Sequence, residues 1–119
     1  MDESDCPIKT TLDVIGGKWK PLILYFLKGG VRRFSDLRRS VAGVTQKMLT
    51  DRLRELERDG IVHREVYAQV PPKVEYSLTA YGKTLAPVLE AMAAWGTRHR
   101  RRTSAAERRL APGKRRREA

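Results

Sequence analysis

One cysteine, two histidines and six prolines in 119 residues rule out several kinds of protein. A single Cys closes no intrachain disulfide, and with only His63 and His99 beside it one chain offers no metal set of the usual Cys/His kind. No metal or cofactor is expected. No apolar run approaches the ~20 residues that a membrane-spanning helix requires. The start, Met1-Asp2-Glu3-Ser4-Asp5, is acidic and has no apolar signal region, so a cytoplasmic protein without a membrane partner is expected. Gly16-Gly17-Lys18-Trp19 lacks both the upstream Gly and the Ser or Thr after Lys that a phosphate loop needs. A Gly-x-Ser-x-Gly turn is missing as well, and the expectation is a protein that is not an enzyme.

Carboxylates are also in short supply. The chain has 25 Lys or Arg against 14 Asp or Glu, a net charge of +11 that suits a polyanionic partner. The excess is uneven, because residues 98–119 hold ten Lys or Arg against two Glu, leaving only +3 for residues 1–97. A folded domain over 1–102 and a basic tail over 103–119 are therefore expected. Beyond Leu110 and a Pro112-Gly113 break the tail has little to bury, so its far end should not order on its own. Two roles stay open for it: a solubilising segment, or an arm adding phosphate contacts without sequence information.

Between these extremes, residues 33–60 carry the clearest pattern. Phe34, Leu37 and Val41 recur at i, i+3 and i+7, with Ser35 and Asp36 placed to cap or charge a helix start. Ala42-Gly43-Val44 is a compact turn. Thr45 then makes a good N-cap, Leu49, Leu53 and Leu56 share one face, and Gly60 is a typical C′ residue. Helix, short Gly turn, helix is a helix-turn-helix. If the leucines face the core, Gln46, Lys47, Thr50 and Arg54 face outward, where Arg or Lys can pair with guanine and Gln with adenine. Asp51, Glu55, Glu57 and Asp59 lie among these cations and keep open the plainer reading of an ion-paired solvated face.

Residues 61–67 and 74–78 alternate and are rich in β-branched and aromatic types, with residues 68–73 between them. Pro71 and Pro72 stiffen that tip. Helix-turn-helix followed by such a hairpin is a winged helix, so the expected fold is mainly α with a small β-hairpin wing. DNA-facing candidates are Ser35, Thr45, Gln46, Lys47, Thr50 and Arg54, with Arg64, Gln69 and Lys73 from the wing.

The flanking segments read as helices. Residues 10–15 form a short one broken by Gly16-Gly17. Residues 18–28 place Trp19, Leu22, Ile23, Phe26 and Leu27 on an apolar face, with Pro21 in the first turn. After the wing, Thr79 can cap a long helix whose stripe, Leu85, Val88, Leu89, Met92 and Trp95, exceeds what a small core covers, and a partner subunit can cover it. Pro87 is expected to kink that helix.

Taken in order, Cys6-Pro7, Gly16-Gly17-Lys18-Trp19, Arg33-Phe34-Ser35-Asp36-Leu37 and Gln46-Lys47-Met48-Leu49 resemble the HxlR-type transcriptional regulators, a bacterial branch of the winged-helix group with MarR-like proteins. The likeness continues through Leu53-Arg54-Glu55-Leu56-Glu57-Arg58-Asp59-Gly60, residues 71–79, Gly82 and Trp95-Gly96, spanning roughly residues 6–96. The resemblance implies a homodimeric DNA-binding regulator with dimer contacts from the terminal helices. In several such regulators a Cys at the position of Cys6 senses oxidants or electrophiles. Where a helix starts, amide donors and the helix dipole favour a thiolate, but Asp2, Glu3 and Asp5 oppose it, and a small buried side chain near a dimer interface is the alternative role.

The resulting expectation is a homodimeric regulator on a palindromic stretch of double-stranded DNA, responding to thiol modification, a small electrophile or another effector. Its rivals are a DNA-architectural protein that binds non-specifically through the basic tail, and a winged-helix protein-interaction module.

Overall fold

A computed structural model describes residues 5–110. The expected fold class is correct, and the elements follow in the order α1 (Pro7–Ile15), α2 (Trp19–Leu27), β1 (Arg32–Arg33), α3 (Phe34–Ser40), α4 (Gln46–Arg58), β2 (Val62–Tyr67), β3 (Lys73–Leu78), a 3-10 turn (Gly82–Leu85) and α5 (Ala86–Leu110). The chain divides into two compact units between Leu89 and Glu90.

The first unit packs its helices on one face of a small sheet. Ile23, Leu24 and Leu27 of α2, Leu37 of α3 and Leu49, Leu53 and Leu56 of α4 are almost wholly buried with Val62, Tyr76 and Leu78 of the sheet. Successive strand residues point to opposite faces, so Val62, Tyr76 and Leu78 look inward while His63, Glu65, Tyr67, Lys73 and Glu75 share the outer face.

The ends of α4 are well specified. Thr45 Oγ1 accepts the Met48 amide at 3.1 Å, satisfying one of the first-turn donors. At the other end Gly60 adopts φ 75°, and the Ile61 and Gly60 amides donate to the Leu56 and Glu57 carbonyls at 2.9 and 3.0 Å, the paired bonds of a Schellman motif. Gly43, at φ 87°, makes the turn from α3 to α4.

Several expectations need correction. The sheet has a third strand: β1 pairs antiparallel with β3, giving the order β1-β3-β2. Two arginines show no alternation, so this strand leaves no periodic signal. In α2, Leu24 is buried and Leu22 is 41% exposed, because Lys20, Ile23, Leu24 and Leu27 form the inward face. Helix α1 begins at Pro7 rather than at residue 10, with Pro at the first position, where its missing donor costs nothing. Thr79 caps the 3-10 turn instead of a long helix, accepting the Gly82 amide at 2.8 Å and donating to the Gly60 carbonyl at 2.6 Å. Pro87 consequently stands in the first turn of α5, where it removes no intrahelical bond and gives no reason for a kink.

Helix α5 also runs unbroken past residue 102 to Leu110, so residues 103–110 of the expected tail are helical; residues 111–119 lie outside the described residues. No described helix is long and apolar enough to cross a membrane.

Candidate nucleic-acid interface

The outward face of α4 is built by what the inward face buries. With Leu49, Leu53 and Leu56 at most 1% exposed, Gln46, Lys47 and Arg54 are left in solvent and Thr50 half-buried. Thr45 gives its oxygen to the cap and keeps a hydroxyl proton to donate. The α4 cations are not equivalent. Lys47 pairs with Asp51 at 2.8 Å, one turn along, and its hydrogen bond holds the Asp51 carboxyl below the usual range. Arg54 makes no ion pair among the described residues, leaving its guanidinium open to an external acceptor.

Beside Arg54 an open groove runs between α4 and the wing, lined by Thr50, Leu53, Arg54, Glu57, Arg64 and Tyr76. The structure therefore brings Arg64 of β2 together with Thr50 and Arg54 of α4, from two separate elements.

The rest of the wing is arranged otherwise. The register sets Glu65 directly opposite Glu75, an unfavourable placement of like charges. An imidazole, an ammonium and a phenol relieve it. His63 Nε2 lies 2.8 Å from Glu65, and Lys73 Nζ lies 3.5 Å from Glu75 and 4.7 Å from the Tyr67 ring centre. A hydrogen bond to Glu75 pushes the Tyr67 hydroxyl above its ordinary value. Lys73 is thus committed within the hairpin. Gln69 stands exposed at the tip, residues 68–72, which contains a cis Val70–Pro71 peptide. Ser35 is exposed in the first turn of α3, apart from the groove lining. That turn is fixed by Asp36, which accepts the Arg33 amide at 3.1 Å and pairs with Arg39 at 2.6 Å; the Arg33 bond is the main reason its carboxyl sits low.

A support for α4 left little trace in the sequence. Lys20 of α2, only 9% exposed, reaches Glu55 at 3.0 Å, and Arg52 holds the other oxygen of the same carboxylate at 3.0 Å. The Lys20 hydrogen bond holds Glu55 below the ordinary carboxylate range. Lys20 sits among apolar neighbours in a helix whose partner element is remote in sequence, so no local pattern marked this role.

The expected dimer stripe splits in two. Leu89 is 2% exposed and Leu85 packs against the hydrophobic core, so both are used by intrachain packing. Val88, Met92 and Trp95 remain 38%, 49% and 60% exposed. Cys6 is half-buried at the N-cap of α1, its carbonyl accepting the Lys9 amide at 3.0 Å.

Known proteins share this arrangement. Residues 14–104 match the HxlR-like helix-turn-helix family. The HTH-type transcriptional regulator YdeP of Bacillus subtilis (strain 168) is 57% identical over 101 residues, 85% of this chain and 79% of YdeP. An HTH-type transcriptional regulator of Methanothermobacter thermautotrophicus is 50% identical over 95 residues, 80% of this chain and 72% of that one. Among solved structures, the redox regulator HypR in its reduced form superposes with a TM-score of 0.78 at 55% identity, covering 84% of this chain and 99% of that one. A diamide-treated YodB from B. subtilis gives a TM-score of 0.65 at 37% identity, over 78% of this chain and 93% of that one. With the helix-turn-helix, the wing and most of the chain in common, this protein belongs to the HxlR-like helix-turn-helix family of transcriptional regulators.

Proposed function

We propose that the protein binds double-stranded DNA as a homodimer on a palindromic operator, with α4 in the major groove. The observation that carries this reading is the groove between α4 and the wing, where unpaired Arg54 stands with Thr50 and Arg64 over a helix locked by three buried leucines. A rigid helix presenting an unpaired guanidinium and the Gln46 amide suits base-edge readout. Dimerisation is supported by Val88, Met92 and Trp95, large apolar side chains of α5 left in solvent within one chain. Two symmetry-related α4 helices would meet successive major grooves about one helical turn, ~34 Å, apart. Selection from random duplexes should return an inverted repeat with that spacing. An enriched pool without such a repeat would sink the palindromic reading, and light scattering showing a monomer at micromolar concentration would remove the dimer.

A thiol response through Cys6 is the second part of the proposal. It is supported by the likeness to HypR, a redox regulator, and by the half-buried place of Cys6 at the start of α1. Operator binding by the wild type and by Cys6→Ser, each with and without diamide or a quinone, decides it. Only the wild type should change, by tenfold or more, about 1.4 kcal/mol. An identical response in the two proteins leaves Cys6 a packing residue.

A further inference from the structure

Beyond Gly96 helix α5 carries a face that neither the dimer stripe nor the recognition helix uses. Residues 98–110 contain six arginines and one carboxylate, Glu107. At about 100° per residue, Arg98, Arg101, Arg102, Arg108 and Arg109 fall within an arc of roughly 120°, while Glu107 lies on the opposite side of the helix. All five are exposed, and none makes an ion pair among the described residues. The charge is therefore neither internally neutralised, as it is on the wing, nor part of a mixed surface.

The composition of the arc restricts what can lie on it. A second copy would set five guanidiniums against five, with no carboxylate between them. A protein partner would be expected to find an apolar or aromatic anchor at the centre of the contact, and the only apolar residue within the arc is Ala105. Trp95 and His99 are on the adjoining face and stack on each other, ring centres 5.0 Å apart, rather than standing open to an unpaired base. What remains is a regular array of phosphates. At about 1.5 Å per residue, Arg98 and Arg109 are about 16 Å apart along the helix. One strand of a duplex presents a phosphate per ~3.4 Å of its axis, so that length spans about five of them, roughly one for each arginine of the arc. Arginine rather than lysine suits the task, since its planar fork takes phosphate oxygens two at a time.

We propose that this arginine face of α5 is a second seat for duplex DNA, gripping the phosphate backbone without reading sequence. The inference rests on the DNA-binding reading of α4 and adds to it an ordered, helix-borne source of affinity. Arginines that grip phosphate in this way raise affinity equally on every sequence and make it steeply dependent on salt.

The test compares the full chain with a variant carrying Arg→Gln at positions 98, 101, 102, 108 and 109, and with a second variant carrying Arg→Lys at the same positions. Binding is read by fluorescence anisotropy on a duplex selected from a random pool by the wild type and on a shuffled duplex of the same length, between about 50 and about 200 mM salt. The Gln variant should bind both duplexes at least tenfold more weakly, by the same factor, with a salt slope shallower by about 0.9 for each arginine that no longer meets a phosphate. The Lys variant should keep most of the slope. If the Gln set disturbs the helix by circular dichroism, Arg101→Gln with Arg102→Gln alone should show a proportionate part of the change. Unchanged affinity and slope in the Gln variants would overturn the proposal and leave the face for an acidic protein. A wild type that selects no motif would overturn the reading of α4 instead, while the slope on shuffled duplex would still decide the arginine face.

Discussion

Helix α4 and the wing both carry alternating cations and carboxylates, and they spend them differently. On α4, three buried leucines fix which side is outward, and Arg54 is left there without a close ion pair among the described residues, feeling only the longer-range field of Asp51. On the outer face of the wing the strand register forces Glu65 against Glu75, and His63, Lys73 and Tyr67 are drawn in to relieve that repulsion. A helix spreads its residues around a cylinder and lets a charge avoid its neighbours, whereas a hairpin sets them directly opposite one another. Formal charge in a sequence is thus a poor guide to charge available for a ligand. The wing's free contribution comes from its inward side, where Arg64 turns toward the groove beside α4.

The largest loss is expected from removing what orients α4. Leu53 is 1% exposed at the centre of the helix and also lines the groove. Leu53→Ala should destabilise the fold by about 3 kcal/mol, through forfeited transfer energy plus an unfilled cavity, as read by denaturant melts. A change under about 1 kcal/mol would mean that α4 is held mainly by its caps.

Next in size is Arg54→Ala, expected to cost about 1 to 3 kcal/mol in preference for the selected over the shuffled duplex if the guanidinium reads a base. Stability should not change, because Arg54 has no ion-pair partner within the described chain. Equal weakening on both duplexes would make Arg54 a phosphate contact and move the reading function to Gln46 and Thr50.

How much of this is visible in the sequence follows from sequence distance. The caps and leucines of α4 are local features: Thr45 precedes the helix, Gly60 follows it, and the period in between is regular. The hairpin is legible from alternation for the same reason. Strand β1 is not, since two residues carry no period, and neither is the exchange of Leu22 for Leu24, because an almost entirely apolar helix hides which side faces in. Among candidate site residues, Gln46, Lys47, Thr50 and Arg54 follow from the leucine phase alone. That Lys73 is engaged by Glu75, and that Arg64 turns to α4, depends on strand register, which the length of residues 61–78 does not determine by itself. Lys20 and Glu55 meet only through packing of α2 on α4.

That last pair gives a pH-dependent prediction. Lys20 holds the Glu55 carboxyl below its ordinary value of 4.5, so the pair stabilises the fold when Glu55 is ionised, above that value. The stabilisation is lost as pH falls from there through the lowered folded value. Glu55 is about a third exposed and keeps Arg52, so Lys20→Met should cost about 1 kcal/mol at neutral pH rather than the larger figure for a fully buried pair. Melts of the two proteins should converge as pH drops below 4.5. A gap that stayed constant would assign the effect to apolar packing of the Lys20 stem.

The smallest effect is expected at Lys73, the wing cation already engaged by Glu75. A lysine free to meet one phosphate contributes about 0.9 to the salt slope of binding. Lys73 must first give up Glu75 at 3.5 Å and the Tyr67 ring, and its departure would restore the repulsion between Glu65 and Glu75. Lys73→Ala should therefore change the slope by less than half of about 0.9, whereas Arg64→Ala should change it by the full amount if Arg64 meets the backbone. Glu75→Gln removes both the tether and the repulsion, and should raise affinity on selected and shuffled duplexes alike by freeing the ammonium. If Lys73→Ala instead removed a full unit and Glu75→Gln changed nothing, the pairs on the wing would have to open on contact with DNA, and its outer face would count as binding surface alongside α4.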